Sequence, residues 1–206
     1  MIGGLNAEPS QCGEQFADGE WKSMPPMQTA RFLPAAASLE DVLYVAGGQT
    51  KDTVCASVER FERCQGKHRW SSLAPMQTAR RNFAMTATPT GLIVTGGVGR
   101  GYERLASVEC YAEKRWTAPA PMLYCRHGHQ LVSLNRYVDA IGGIRGEQER
   151  RHAHEECGVE RYDFASNCWT LVQSMHRKRV FSGACVFGGE IYVFGGRSAP
   201  DSGCRS

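Results

Sequence analysis

Arg80-Arg81-Asn82-Phe83-Ala84-Met85-Thr86-Ala87, then Leu92-Ile93-Val94-Thr95-Gly96-Gly97, then Glu109-Cys110-Tyr111, then Trp116-Thr117-Ala118-Pro119-Ala120-Pro121-Met122: this stretch decides the fold. Leu92 to Thr95 is a short β-branched, apolar run and reads as a buried strand. The glycine pair lets the backbone bend and approach a neighbour closely at the strand end. Glu109-Cys110-Tyr111 alternates like a strand with two different faces. Glu113-Lys114-Arg115 supplies a turn, and Trp116 to Met122 reads as an outer strand ended by proline. Phe83 to Ala87 is a further strand, so the stretch holds short strands and almost no helical periodicity.

The same registers recur on both sides of it. Gly-Gly pairs fall at Gly3-Gly4, Gly47-Gly48, Gly96-Gly97, Gly142-Gly143 and Gly195-Gly196. Trp21, Trp70, Trp116 and Trp169 are all four tryptophans of the chain. Each is followed six residues later by a methionine (Met27, Met76, Met122, Met175), and each methionine four later by an arginine (Arg31, Arg80, Arg126, Arg179). Every arginine precedes the next Gly-Gly by sixteen residues. A Glu-x-aromatic step sits before each tryptophan: Glu14/Phe16, Glu59/Phe61, Glu109/Tyr111 and Glu160/Tyr162. Four-stranded units repeating at about 45–50 residues are the mark of propeller blades.

In its Gly-Gly, its Glu-x-aromatic and its tryptophan six before methionine, the pattern resembles the kelch family over nearly the whole chain. The resemblance implies an all-β, kelch-type β-propeller of four-stranded antiparallel blades, with strands a to d running outward from a central channel. On that reading residues 31–76, 80–122 and 126–175 are complete blades. Residues 1–27 supply the end of a b strand with c and d, residues 179–197 supply a and b, and 198–206 are a tail. The two partial blades are complementary and could close a ring of four. Kelch propellers usually have about six blades, so a partial propeller is the favoured expectation over a four-blade ring. An open arc would expose a strand edge and apolar blade faces.

Composition narrows the function classes. The chain is 42% hydrophobic and 22% charged, which is globular rather than disordered. A net charge of +3, from 24 basic and 21 acidic residues, is too balanced to argue for nucleic acid or an anionic membrane. No apolar run approaches a membrane span and the first residues lack a secretory pattern. Nine cysteines at irregular spacing, without Cys-x-x-Cys, point to a reduced, cytoplasmic protein.

The four tryptophans, with Gly47, Gly48, Gly96, Gly97, Gly142, Gly143, Gly195 and Gly196, are read as structural, the tryptophans and methionines packing between blades. The arginines admit two readings. Arg31, Arg80, Arg126 and Arg179, with Arg81 and Lys178 beside them, lie where one blade leads into the next, and a ring of guanidinium groups on one rim would receive carboxylates. In BTB-kelch adaptors of ubiquitin ligases, to which the chain is similar, arginines at this connection line a pocket for an acidic peptide. Alternatively each arginine pairs with a nearby glutamate and only staples blades. The resemblance implies that the b–c connections open on the same face, and the third, Ile144 to Glu156, is swollen. Its Arg150, Arg151, His152 and His154 are candidates for specificity, or part of a solvated insertion.

Enzyme signals are weak. His152-x-His154 beside Glu155, Glu156 and Cys157 lacks a fixed geometry, and Gly96 to Gly101 is followed by neither Lys-Ser/Thr nor a helix. No nucleophile–base pair, catalytic residue, cofactor or metal is expected. The expectation is a protein-binding module, of the kind that recognises substrates for BTB-kelch, cullin-RING ligases. A cytoskeletal, actin-associated scaffold is the alternative, and a kelch-fold metalloenzyme a more distant one.

Overall fold

The structure, a computed structural model, describes residues 8–64, 67–146, 153–155 and 157–197. No helix occurs among them. Strands β1 (Glu14–Ala17) and β2 (Glu20–Ser23) form a hairpin. Strands β3 (Ala35–Leu39), β4 (Val42–Ala46), β5 (Val58–Cys64) and β6 (Lys67–Leu73) form an antiparallel sheet in that order, as do β7 (Ala84–Thr88), β8 (Gly91–Thr95), β9 (Val108–Ala112) and β10 (Arg115–Thr117). The next unit runs through β11 (Cys125–His127), β12 (Gln130–Leu134), β13 (Tyr137–Ile141), β14 (Ile144–Gly146), β15 (Ala153–Glu155), β16 (Val159–Asp163) and β17 (Cys168–Val172). Its main sheet is β12-β13-β16-β17, and β11-β14-β15 is a small sheet at the root of the swollen connection. Strands β18 (Gly183–Phe187) and β19 (Glu190–Phe194) are a final hairpin.

These sheets stack like blades. The first strand of each lies beside the first strand of the next: β3 against β7, β7 against β12, β12 against β18. The core is divided into layers between neighbouring sheets. Ala84, Ile93 and Val108 of one sheet pack on Leu131, Val138, Tyr162 and Trp169 of the next, with Met122 among them. Val58 and Met76 meet Met85, Val94 and Trp116 in the layer before it. A buried strand such as β8, covered on both faces, reads as a continuous apolar run for this reason.

Among the described residues the two hairpins at the ends do not pair with each other, and the sheets do not close into a ring of four blades. This changes the setting of one repeat tryptophan. Trp70, Trp116 and Trp169 are 8%, 8% and 5% exposed, whereas Trp21 is 67% exposed, with the Phe16 ring of its own hairpin 5.4 Å away. The expectation that all four pack between blades is not met at Trp21, which no neighbouring sheet covers among the described residues.

Candidate functional site

The repeat arginines face inward. Arg31, Arg80 and Arg126 are fully buried. Arg80 Nη1 donates to the carbonyls of Gly96 and Ser107 at 2.7 and 3.1 Å, and its Nη2 donates to Ser107 Oγ and to Glu109 Oε1 at 2.7 Å. Arg31 repeats this set with Gly47, Ser57 and Glu59. Arg126 repeats it with Gly142, Gly158 and Glu160. The same glutamates accept the backbone of the connection between blades. Glu59 takes the N–H groups of Gln28 and Thr29, Glu109 those of Gln77 and Thr78, and Glu160 that of Leu123. Burial pulls the Arg80 pKa down, while the hydrogen bond and charge of Glu109 oppose it.

This knot is structural. Removing one partner of a buried ion pair leaves an uncompensated charge, at about 3–5 kcal/mol. The repeat arginine's carbonyl also joins blades: Gly48 N–H donates to Arg80 O, Gly97 to Arg126 O and Gly143 to Arg179 O. A Cβ on Gly96, at φ 63°, would stand 2.3 Å from Arg126 O, so only glycine allows this approach. The expected rim of Arg31, Arg80 and Arg126 is therefore corrected. Their guanidinium groups are sealed by glutamate and carbonyls and cannot also fork onto a partner's carboxylate. Lys178 and Arg179, in the final unit, are half-buried, and Arg179 Nη1 donates to Gly195 O.

The residues after Arg80 and Arg126 behave differently, because successive side chains in extended backbone point to opposite sides. Arg81 pairs in backbone with Val98, and Val98 with Arg104; His127 pairs with Ile144, and Arg126 with Arg145. These pairings bring the a-strand starts and the b–c connections onto one face. On it Arg81 lies over the Tyr102 ring at 5.3 Å and Arg145 over the Tyr124 ring at 3.2 Å. Arg104 lies against Gly146, and Arg100 Nε donates to Val54 O in the neighbouring connection. Tyr102 is 75% exposed, Arg100 is exposed, and Arg81, Arg104, Tyr124 and Arg145 are half-buried.

His127 sits among these cations. Burial, then the charges of Arg104 and Arg81, push its pKa down to about 4. Its Nδ1 and the Nε of Arg81 are buried without a protein partner among the described residues. Below it His129 is buried, its Nε2 2.7 Å from Thr95 Oγ1, with a pKa well below the usual value from burial and from Arg126. An open cleft of about 480 Å³ adjoins the face, lined by Ala106, Ser107, Met122, Tyr124, Cys125 and Gly146 among others.

Arg81 was expected at this site. Arg100, Arg104 and Arg145 were not singled out, although the b–c connections carrying them were read as opening on this face; His127, with His129, was weighed only as a metal-ligand pair beside Arg126. Arg150, Arg151 and His152 lie outside the described residues, as does the side chain of His154, whose backbone pairs with Arg145. Among the described residues no group of three His, Cys, Asp or Glu could hold a metal. Gly96 to Gly101 is a turn leading toward β9, with Gly99 N–H on Glu103 O. Cys12, Cys55, Cys110, Cys125, Cys168 and Cys185 are free thiols, while Cys157 is disulfide-bonded, a departure from the fully reduced chain expected. No helix among the described residues is long and apolar enough to cross a membrane.

Comparison with known proteins agrees with the blade geometry. The Kelch motif family model matches residues 30–77, 125–176 and 178–206, more than half of the chain. Kelch-like protein 26 of Danio rerio is 27% identical over 179 residues, covering 86% of this chain and 29% of that protein. Kelch-like protein 25 of Xenopus tropicalis is 29% identical over 188 residues, covering 86% and 30%. The chain thus spans about 30% of the length of these relatives. Among solved structures, that of YjhT superposes with a TM-score of 0.64 at 14% identity, over 79% of this chain and 52% of the other, a likeness of fold. Stacked four-stranded sheets, the Arg–Glu knot and these matches lead to one assignment: the chain belongs to the kelch-repeat family, as part of a β-propeller.

Proposed function

We propose that this chain is part of a protein-interaction propeller whose loop face takes an acidic segment of a partner protein. The observation that carries the reading is the placement of Arg81 and Arg104 beside His127, with Tyr102 under Arg81 and, on the same face, Arg145 over Tyr124. Guanidinium groups braced on aromatic rings are oriented and only partly solvated, which suits forked bonds to carboxylates. The connections that carry them sit on a rigid stack of sheets, the usual arrangement for a recognition surface. The likeness to kelch-like proteins extends the proposal to substrate recognition for a cullin-RING ubiquitin ligase in the cytoplasm, with a BTB region supplied elsewhere in a longer polypeptide or by a partner. No catalytic step is part of this reading.

The test is a titration of the chain with an Asp/Glu-rich peptide and with its Asn/Gln counterpart. The acidic peptide alone should bind, and binding should weaken as salt is raised. Arg81→Ala and Arg104→Ala should each weaken it about tenfold or more, since hydrogen bonds to charged groups contribute about 1.5–3 kcal/mol. Equal binding of both peptides, or binding unmoved by the two substitutions, would overturn the proposal.

A further inference from the structure

Several arginines are already matched within the chain. Arg31, Arg80 and Arg126 are taken by the glutamates of the knot, Arg60 faces Glu62, and Arg161 forks onto Asp139. Arg81 and Arg104 differ. Among the described residues neither guanidinium has a hydrogen bond or an ion pair, and the Arg81 Nε is buried without a partner. The neighbouring carboxylate, Glu103, is exposed and lies beside Gly99. A half-buried charge gives up solvation, so two unmatched cations close together point to an anion that arrives from outside.

The backbone places them. Arg81 is opposite Val98 and Val98 is opposite Arg104, so three short extended segments run in register. Residues directly opposite in such a ladder project to the same side, and adjacent strands lie about 4.8 Å apart. The two arginines therefore flank the smaller Val98 on one side of the ladder. Arg81 is held over Tyr102, its guanidinium carbon 5.3 Å from the ring centre. Arg104 leans toward the next sheet, where a Cβ on Gly146 would stand 2.6 Å from its Nη1, so this glycine leaves room for the arginine. His127 pairs with Ile144 there, as Arg81 pairs with Val98 one sheet earlier. The charges of Arg104 and Arg81 both act on the His127 ring and, with burial, hold it neutral. A neutral imidazole keeps one N–H to donate, and the His127 Nδ1 is buried with no protein partner among the described residues.

We propose that Arg81, Arg104 and His127 form a receptor for a phosphate monoester on a side chain of the partner segment. The proposal rests on the reading of this face as a docking surface for an acidic segment, and it names the group that the segment presents. A carboxylate carries a single charge on two oxygens and is satisfied by the fork of one guanidinium. Two unmatched guanidinium groups and a third donor exceed it. A phosphoserine carries about −1.5 to −2 charges at pH 7, with three strong acceptor oxygens. One oxygen each for Arg81, Arg104 and the His127 Nδ1–H matches both the charge and the donors. The seat draws on two neighbouring sheets, so it is complete only where they are stacked.

The test uses one Asp/Glu-rich peptide made with serine, glutamate or phosphoserine at a central position. Each is titrated into the 206-residue chain in phosphate-free buffer, with inorganic phosphate as a fourth titrant. The phosphoserine peptide should bind about tenfold or more tighter than the glutamate peptide, and about tenfold or more tighter than inorganic phosphate. Arg104→Ala, and the gentler Arg104→Gln, should each reduce the preference for phosphoserine over glutamate to about twofold or less, since a lone guanidinium serves either anion. Both variants should unfold thermally at the wild-type temperature. Phosphoserine and glutamate peptides that bind equally, and that both weaken in Arg81→Ala, would overturn the phosphate assignment and leave the acidic-segment reading standing. Binding of none of the peptides would overturn both. A preference left intact in the two Arg104 variants would overturn the assignment, as would inorganic phosphate binding as tightly as the phosphoserine peptide, which would mark a site for a free anion.

Discussion

Gly96 and Gly195 occupy the same repeat position at almost the same backbone angle, φ 63° and 61°. A Cβ on Gly96 would meet Arg126 O at 2.3 Å, and one on Gly195 would meet nothing within 4 Å. Arg80 and Arg179 differ in the same way, one locked to a glutamate and the other bonded to its own hairpin. So do Trp116 and Trp21, one buried on the preceding blade and one exposed. A kelch repeat is thus a set of residues whose meaning depends on a neighbour. Stability in such a stack resides in the interfaces between units as well as in the units themselves.

The contrast can be broken most severely at the tryptophans. Trp116→Ala should cost about 3–5 kcal/mol in chemical denaturation, since it empties a packed layer and leaves Ala74 O without its donor. Trp21→Ala should cost under about 0.5 kcal/mol, like other surface changes. Equal losses would mean that Trp21 is covered. The glycines give a finer comparison. Gly195→Ala meets only the left-handed backbone, at about 1–2 kcal/mol, whereas Gly96→Ala must also displace Arg126 O, adding about 1–3 kcal/mol. The same denaturation curves would resolve the difference.

A further comparison is pH dependence, which concerns His127 on the loop face and His129 beneath it. His127 and His129 are held neutral by burial and nearby cations, so their folded pKa values lie below the ordinary 6.5. Between about 4 and 6.5 the unfolded chain binds more protons than the folded chain at His127, so stability rises with pH there. This contribution is complete above 6.5 and is lost as pH falls toward 4. Denaturation midpoints at pH 7 and pH 5 should differ, and His127→Gln should shrink the difference. An unchanged difference would place the pH sensitivity elsewhere.

Much of the fold was legible because the repeat is written in residues with few alternatives. A glycine pair after Val94-Thr95, or a tryptophan six before Met122, marks a backbone approach or a packed ring that little else could provide. The candidate site was less legible, and the pair Arg80-Arg81 explains why. Both are arginines at one connection, yet extended backbone sends one toward Glu109 and the other toward Tyr102. Which of them faces solvent depends on strand phase and on Glu109, 29 residues away in sequence, and neither is visible in the local run. The cluster around His127 was hidden for a related reason. Its members come from two connections and one strand start, and only the pairing of β11 with β14 and of Arg81 with Val98 collects them.

The most direct test of this division between structural and available arginines is labelling of the native chain with an arginine-selective dicarbonyl, read residue by residue by mass spectrometry. Arg31, Arg80 and Arg126 should stay unmodified until the chain unfolds, while Arg81 and Arg104 react in the folded chain. Labelling of Arg80 as fast as Arg81 would contradict the account.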